Sequence, residues 1–263
     1  MSDKQTPERS DSIGEQVHRS IFRHDDLDTP RNRILQVTSN IFLHIHPAQV
    51  RRHGLRLRFT WGMGGLSALT FAVTIVTGVV LMFYYRPTAA AAYLDMLNLE
   101  HEIPFGMFQR NMHRWAAHAM VILVWFHMLR VFLSGSYKPP REFNWGVGVV
   151  CLVLTMLLSF TGYLLPWDQL SMWAVTVGTN MAAAAPLVGH EGPGAGLTGV
   201  TVDNDLRALL LGGREVGDPA ILRFYVLHCV LLPIFLTLLL AVHFWRVRKD
   251  GGISGPPEPV VDR

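Results

Sequence analysis

The chain has 263 residues, 50% hydrophobic and only 16% charged, with a mean hydropathy of +0.26, which excludes a protein bathed in water throughout. Its formal charge is +3, but ten of the 23 Lys and Arg precede residue 60 and four lie at or after Arg246, so the bases flank apolar runs and form no nucleic-acid patch. The two cysteines, Cys151 and Cys229, exclude a disulfide framework, a cysteine-rich zinc site and a Cys-x-x-Cys-His attachment motif.

Residues 1–28 are polar, without the charged-then-apolar pattern of a secretory signal, which sets the expectation that the chain starts on the cytoplasmic side. Ile34, Leu35, Val37, Ile41, Phe42 and Ile45 then recur at helical spacing among polar residues, the pattern of an amphipathic surface helix lying on lipid or on protein. Four apolar runs follow, roughly Phe59–Tyr85, Asn111–Leu133, Trp145–Pro166 and Leu222–Trp245. Each is long enough to cross a hydrocarbon core of about 30 Å, so the fold class is an all-α membrane protein with four transmembrane helices.

Four crossings return both termini to one side. The tail, the short loop around Gly135–Glu142 and the C-terminus carry most of the bases, while the loops Arg86–Arg110 and Trp167–Ile221 carry few, which puts both termini in the cytoplasm. Trp61, Trp145, Trp167, Trp173 and Trp245 fall near span ends, where indole favours the headgroup layer. The division is therefore a tail with a surface helix over 1–58, a four-helix domain over 59–250 and a cytoplasmic tail over 251–263. Five glycines and a proline mark Gly189–Asp205 as an outside loop.

Histidine at membrane depth carries the chemistry, because ionisable groups there are costly and usually functional. His113 and His127 stand in the second span, His228 and His243 in the fourth. Fourteen helical residues advance about 21 Å and fall roughly 40° short of whole turns, so the first two share a face near opposite membrane surfaces. Fifteen residues overshoot by about 60°, which still leaves His228 and His243 on one broad face. Two helices, each offering two imidazoles at matching depths, make the arrangement that a stacked pair of b-type haems needs. Interhelical hydrogen bonding is the plainer use of any one of them, and zinc fits poorly because its sites gather three or four ligands. His118, five residues past His113, points about 140° away and reads as packing or a local hydrogen bond.

Glycines repeat the same period on the other two spans, Gly64 with Gly78 and Gly148 with Gly162, each fourteen residues apart. A flat macrocycle between four helices needs close backbone approach, which glycine allows; small-residue helix packing is the alternative. Arg110, Arg114 and Arg223 lie at the outer ends of the histidine helices, and Arg130 and Arg141 at or near the inner end, where they can pair with propionates or snorkel to the interface.

Longer motifs stand on this frame: FYYRPT at Phe83–Thr88, HRW at His113–Trp115, SGSYKPPREFNW at Ser134–Trp145, TGYLLPWDQ at Thr161–Gln169, RFYVLH at Arg223–His228 and GISGP at Gly252–Pro256. In these the chain resembles the cytochrome b proteins of quinol-oxidising complexes, over about residues 59–256, and most closely the b6 type. The fifteen-residue histidine spacing resembles b6, the mitochondrial type having fourteen, and the sequence ends soon after GISGP as b6 does.

The resemblance implies an outer low-potential haem on His113 and His228 and an inner high-potential one on His127 and His243. It implies an outer quinol site walled by Thr161–Val175, an inner quinone site, and proton release outside with uptake inside. It also implies partners: a subunit IV-like chain bearing the Pro-Glu-Trp-Tyr motif that is absent here, a Rieske iron-sulfur protein, a c-type cytochrome, and a dimeric complex in a bacterial cytoplasmic or photosynthetic membrane. Gly62 stands where b6 has the cysteine of a covalent c-type haem, so no covalent haem is expected. A dihaem membrane anchor of another quinone-linked dehydrogenase or reductase is the second reading, and a bundle with hydrogen-bonded histidines the third.

Overall fold

The computed structural model describes residues 12–15, 17, 29–39 and 57–253. The amphipathic pattern before the first span is a helix, α1 (Pro30–Ser39), with Ile34 and Leu35 exposed; its continuation through Phe42 and Ile45, the tail histidines and the residues after Ile253 lie outside the described residues. No strand forms among the described residues.

Four helices are long and apolar enough to span a membrane. They are α2 (Met63–Met82), α4 (Gly106–Leu133) and α5 (Glu142–Leu164), and a fourth running from Asp218 to Lys249. Between the first two lies α3 (Ala92–His101), and after α5 come α6 (Gln169–Ala183) and α7 (Leu206–Leu211). The fourth span is composite: α8 (Asp218–Val226), a π-helical turn at Leu227–Leu231, and α9 (Leu232–Lys249).

The span ends have local causes. The first span begins later than its hydropathy suggests, because Trp61 and Gly62 both take left-handed backbone (φ 53° and 63°) and bend the chain away from a short helical turn at Leu57–Thr60. The fourth begins earlier, at Asp218, because Pro219 occupies the first turn, where its missing N–H costs nothing. The π-turn closes where Leu232 N–H reaches back five residues to the Leu227 carbonyl. Pro233, just after it, has no N–H for the carbonyl four residues earlier, and such a gap in the ladder favours a one-residue bulge.

The first span packs mainly on the second and the third mainly on the fourth. Where the four meet at mid-depth, Phe71, Met120, Val147, Cys151 and Leu236 form a buried apolar cluster. Phe71 lies seven residues from both Gly64 and Gly78, and Met120 seven from both His113 and His127. This apolar layer therefore separates two polar levels of the bundle.

The end of the bundle that carries Tyr85 and Asp218 is tied by polar contacts. Tyr85 Oη donates to the Leu165 carbonyl at 2.7 Å, joining the exits of the first and third spans. The Arg86 guanidinium grips Asp95 through two bonds, at 2.6 and 3.1 Å, and holds that carboxyl below the usual carboxylate range. The main chain at Ala89 donates to Asp218 at 2.6 Å, binding the first loop to the start of the fourth span.

The glycine-rich stretch 189–205 is a closed clasp rather than an open insertion. Leu206 N–H donates to the Val188 carbonyl at 2.9 Å, closing its base, and Gly189 runs so near the Ala183 carbonyl that a Cβ there would overlap it. Asp205 is 2% exposed; it caps α7 at Ala208 N–H (2.7 Å) and meets His190 Nδ1 at 2.6 Å. Burial pushes this carboxyl up, but the Ala208 N–H and the His190 ring and N–H outweigh it and hold the carboxyl below its ordinary value. A depressed carboxylate contributes its stability above the unfolded value, near pH 4, and loses it as pH falls below that. Asp205→Ala is expected to cost about 1–3 kcal/mol locally and to open the 189–205 segment to limited proteolysis at neutral pH; a cleavage pattern unchanged from the parent protein would refute the clasp.

Candidate functional site: two histidine pairs stacked across the bundle

The structure brings the four span histidines together in two pairs. The rings of His113 and His228 lie 6.2 Å apart, centre to centre, at the level of Gly78 and Gly162, and those of His127 and His243 lie 6.4 Å apart at the level of Gly64 and Gly148. A nitrogen–metal bond is about 2.0 Å and a ring nitrogen lies roughly 1.1 Å from its ring centre, so two imidazoles on opposite sides of one metal are separated by about 6.2 Å. Both pairs match that separation. Among the described residues no three His, Cys, Asp or Glu side chains converge, so the donor set is two nitrogens per level, which suits axial ligation of a macrocycle and not a closed tetrahedral site.

The fifteen-residue interval in the fourth span is corrected by its π-turn. A bulge adds one residue with almost no net rotation, so His228 and His243 behave as if about fourteen apart, the interval of His113 and His127. Both histidine helices then present their rings with one period.

Each of the four periodic glycines lies beneath one imidazole. A Cβ on Gly78 would stand 3.2 Å from His113 Cε1, and one on Gly64 would stand 3.1 Å from His127 Cε1. On the third span, a Cβ on Gly162 would come to 2.5 Å from His228 Cε1 and one on Gly148 to 3.7 Å from His243 Cε1. Each glycine is thus approached by an imidazole ring and gives that ring the space to turn toward its partner.

The His113 and His228 rings are also fixed by hydrogen bonds that sequence reasoning missed. His113 Nδ1 lies 2.9 Å from Thr77 Oγ1, and His228 Nδ1 lies 3.0 Å from the Leu158 carbonyl and 3.4 Å from Thr161 Oγ1. A carbonyl only accepts, so His228 carries its hydrogen on Nδ1 and leaves Nε2 as a free donor atom. The available signal was the Thr-Gly dipeptide, which recurs at Thr77-Gly78 and Thr161-Gly162. His118 closes a local bond with the Arg114 carbonyl at 2.7 Å, as its rotation off the ligand face predicts.

The arginines are dispersed. Arg110 pairs with Glu100, and Arg223 donates to the carbonyls of Ala208 and Leu209 at the end of α7. Arg130 stacks over the Phe59 ring at 4.2 Å and donates to its carbonyl, while Arg114 is exposed. Arg141 Nε is buried without a hydrogen-bond partner. Of the five arginines expected to meet propionates, Arg141 keeps a buried donor atom unspent, whereas Arg110 and Arg223 are engaged elsewhere. An open depression of about 420 Å³ lined by Tyr93, Trp167, Asp168, Gln169 and Leu170 lies along the stretch expected to wall an outer site.

Comparison with known proteins agrees with this geometry. The family model described as Cytochrome b/b6/petB matches residues 51–251. The chain belongs to the cytochrome b family. It is 41% identical to the cytochrome b6 of Heliomicrobium gestii over 211 residues, covering 80% of this chain and 90% of that one. With the cytochrome b6 of Prochlorococcus marinus (strain MIT 9303) it shares 40% identity over 194 residues, covering 74% and 82% respectively. Among solved structures it resembles a chain of a hyperthermophilic respiratory Complex III, with a TM-score of 0.67 and 32% identity over 78% of its length. It spans about half (52%) of that longer chain. As a cytochrome b, the protein is an integral membrane component of electron transport, from a family that binds b-type haem.

Proposed function

We propose that the chain is the dihaem cytochrome b subunit of a b6-type quinol-oxidising, proton-translocating complex, linking quinol oxidation at the outer face to quinone reduction at the inner face. The observation that carries this reading is the pair of imidazole separations, 6.2 and 6.4 Å, at two levels of one bundle. In it, His113 with His228 and His127 with His243 would hold the two haems, and Gly64, Gly78, Gly148 and Gly162 clear the rings. When bound, non-covalent b haems supply reversible one-electron storage at two depths of the membrane.

The chain's own residues do the rest of the work. Thr77 and the Leu158 carbonyl hold the outer rings in orientation, and the apolar layer around Phe71, Met120 and Leu236 excludes water between the levels. Arg141, with its unspent Nε, is the arginine best supported as a propionate partner. The Trp167–Leu170 depression supports an outer quinol wall that a Rieske protein and a subunit IV-like chain complete, with a c-type cytochrome accepting electrons. Gly62 supports the absence of covalent haem, since it offers no thiol at the position of the b6 cysteine. Both termini are assigned to the cytoplasm and the complex to a dimer.

The test is a potentiometric titration of the purified complex in the b-haem α-band, with its co-purifying subunits identified. Two waves at separated potentials, haem lost on acid extraction and a Rieske partner are expected. A single wave, or a molybdenum or iron-sulfur catalytic subunit in place of the Rieske protein, would overturn the reading in favour of a membrane anchor.

A further inference from the structure

We infer that Thr77 is a positioning residue for the outer histidine pair: its hydroxyl oxygen fixes His113 in the tautomer with hydrogen on Nδ1, and this brace makes the outer site hold oxidised metal more firmly than it otherwise would. The inference rests on the dihaem reading above.

Thr77 is 1% exposed, and its hydroxyl has a single hydrogen to give. That hydrogen is directed to the Val73 carbonyl at 2.7 Å, the closest of its acceptors. The oxygen therefore faces His113 Nδ1, 2.9 Å away, with lone pairs only, and the imidazole must donate, sharing its hydrogen between this oxygen and the Thr74 main chain. His113 Nε2 is left unprotonated and free toward His228. The second span holds Thr77 twice, since Gln109, one turn before His113, donates its side-chain amide to the Thr77 carbonyl at 3.3 Å. Thr161 repeats the device beside His228 in weaker form, spending its hydrogen on the Leu157 carbonyl at 2.8 Å while the Leu158 carbonyl takes the Nδ1 hydrogen.

The inner level is built without this brace. The residues preceding its two glycines are Met63 and Val147, which offer no comparable hydroxyl, and the acceptor that meets His243 is the Asn144 main chain. An imidazole that donates from Nδ1 gains electron density at Nε2 and becomes a more basic ligand, which favours the ferric state and lowers the reduction potential. The hydroxyl thus sets a difference between two sites that share the same ligands, the same glycines and nearly the same ring separation.

The experiment is Thr77→Val in the intact complex, titrated potentiometrically with both α-band components resolved. Valine keeps the shape and removes the acceptor. The outer wave is expected to move to higher potential while the inner wave stays and the haem content remains two per chain; Thr77→Ser should return the outer wave to its original position. Should valine prevent assembly, Thr77→Ala poses the same question with a smaller side chain. Two waves at their original potentials in the valine or alanine variant, or a shift of the inner wave alone, would overturn the inference. Failure of the dihaem reading is distinct from both, since it would appear as fewer than two waves in the unsubstituted complex.

Discussion

Replacing His127 by leucine is expected to leave a complex with one b-haem optical component instead of two, the survivor being the outer, low-potential one. Leucine is close to imidazole in bulk and at home at membrane depth, so the helix persists while one of the two nitrogens at the inner level is lost. A single imidazole 6.4 Å across from an apolar side chain cannot clamp a metal from both faces. The outer pair lies fourteen helical residues away, about 21 Å, beyond the buried layer of Phe71, Met120 and Leu236, so its rings keep their places. Haem per chain should fall by half and the higher-potential wave should disappear. Loss of the lower wave alone would reverse the pairing, and loss of both would mean that the levels assemble only together.

Gly162→Ala is the substitution expected to damage the outer site most among the four glycines. Its Cβ would come to 2.5 Å from His228 Cε1, 2.9 Å from Nδ1 and 3.1 Å from Nε2, an overlap with the whole edge of the ring. The ring has nowhere to turn, because Nδ1 is held at 3.0 Å by the Leu158 carbonyl, so either that bond or the ring's aim at His113 must be given up. Overpacking of this kind costs about 1–3 kcal/mol, and here the cost falls on ligand geometry. The same change at Gly148 meets nothing closer than 3.7 Å and should be silent, with Gly64 and Gly78 between at 3.1 and 3.2 Å. Haem occupancy at the level each glycine adjoins, that of His113 and His228 for Gly78 and Gly162 and that of His127 and His243 for Gly64 and Gly148, checks the order: a Gly148→Ala variant losing more haem at its level than Gly162→Ala loses at its own would refute it.

Much of this was legible in the sequence because helical period and membrane thickness are both fixed lengths. Four histidines and four glycines at intervals of fourteen and fifteen residues fall on matching faces and depths of their helices, and the structure seats each glycine beneath one histidine. What each glycine touches was not legible, since spacing gives the face of a helix and not its neighbour across the gap. The arginines show the same limit. Arg110 finds Glu100 and Arg223 finds the end of α7 through loop geometry that no period encodes. Thr77 was hidden for another reason: threonine inside a span usually bonds its own helix, and Thr77 does so too, while its spare lone pairs serve His113. The span limits moved for local reasons as well, a left-handed Trp61-Gly62 bend at one and Pro219 at another.

The π-turn at Leu227–Leu231 gives the fourth span one residue of slack. Deleting a residue within that turn would let the helix run straight and still deliver imidazoles to both levels, whereas a deletion anywhere between the turn and His243 would rotate the inner ring by about 100° and lift it by about 1.5 Å. Histidine intervals of fourteen and fifteen are therefore two lengths of chain serving one spatial template. Single-residue length changes along this span are absorbed at one place only, the turn that carries His228.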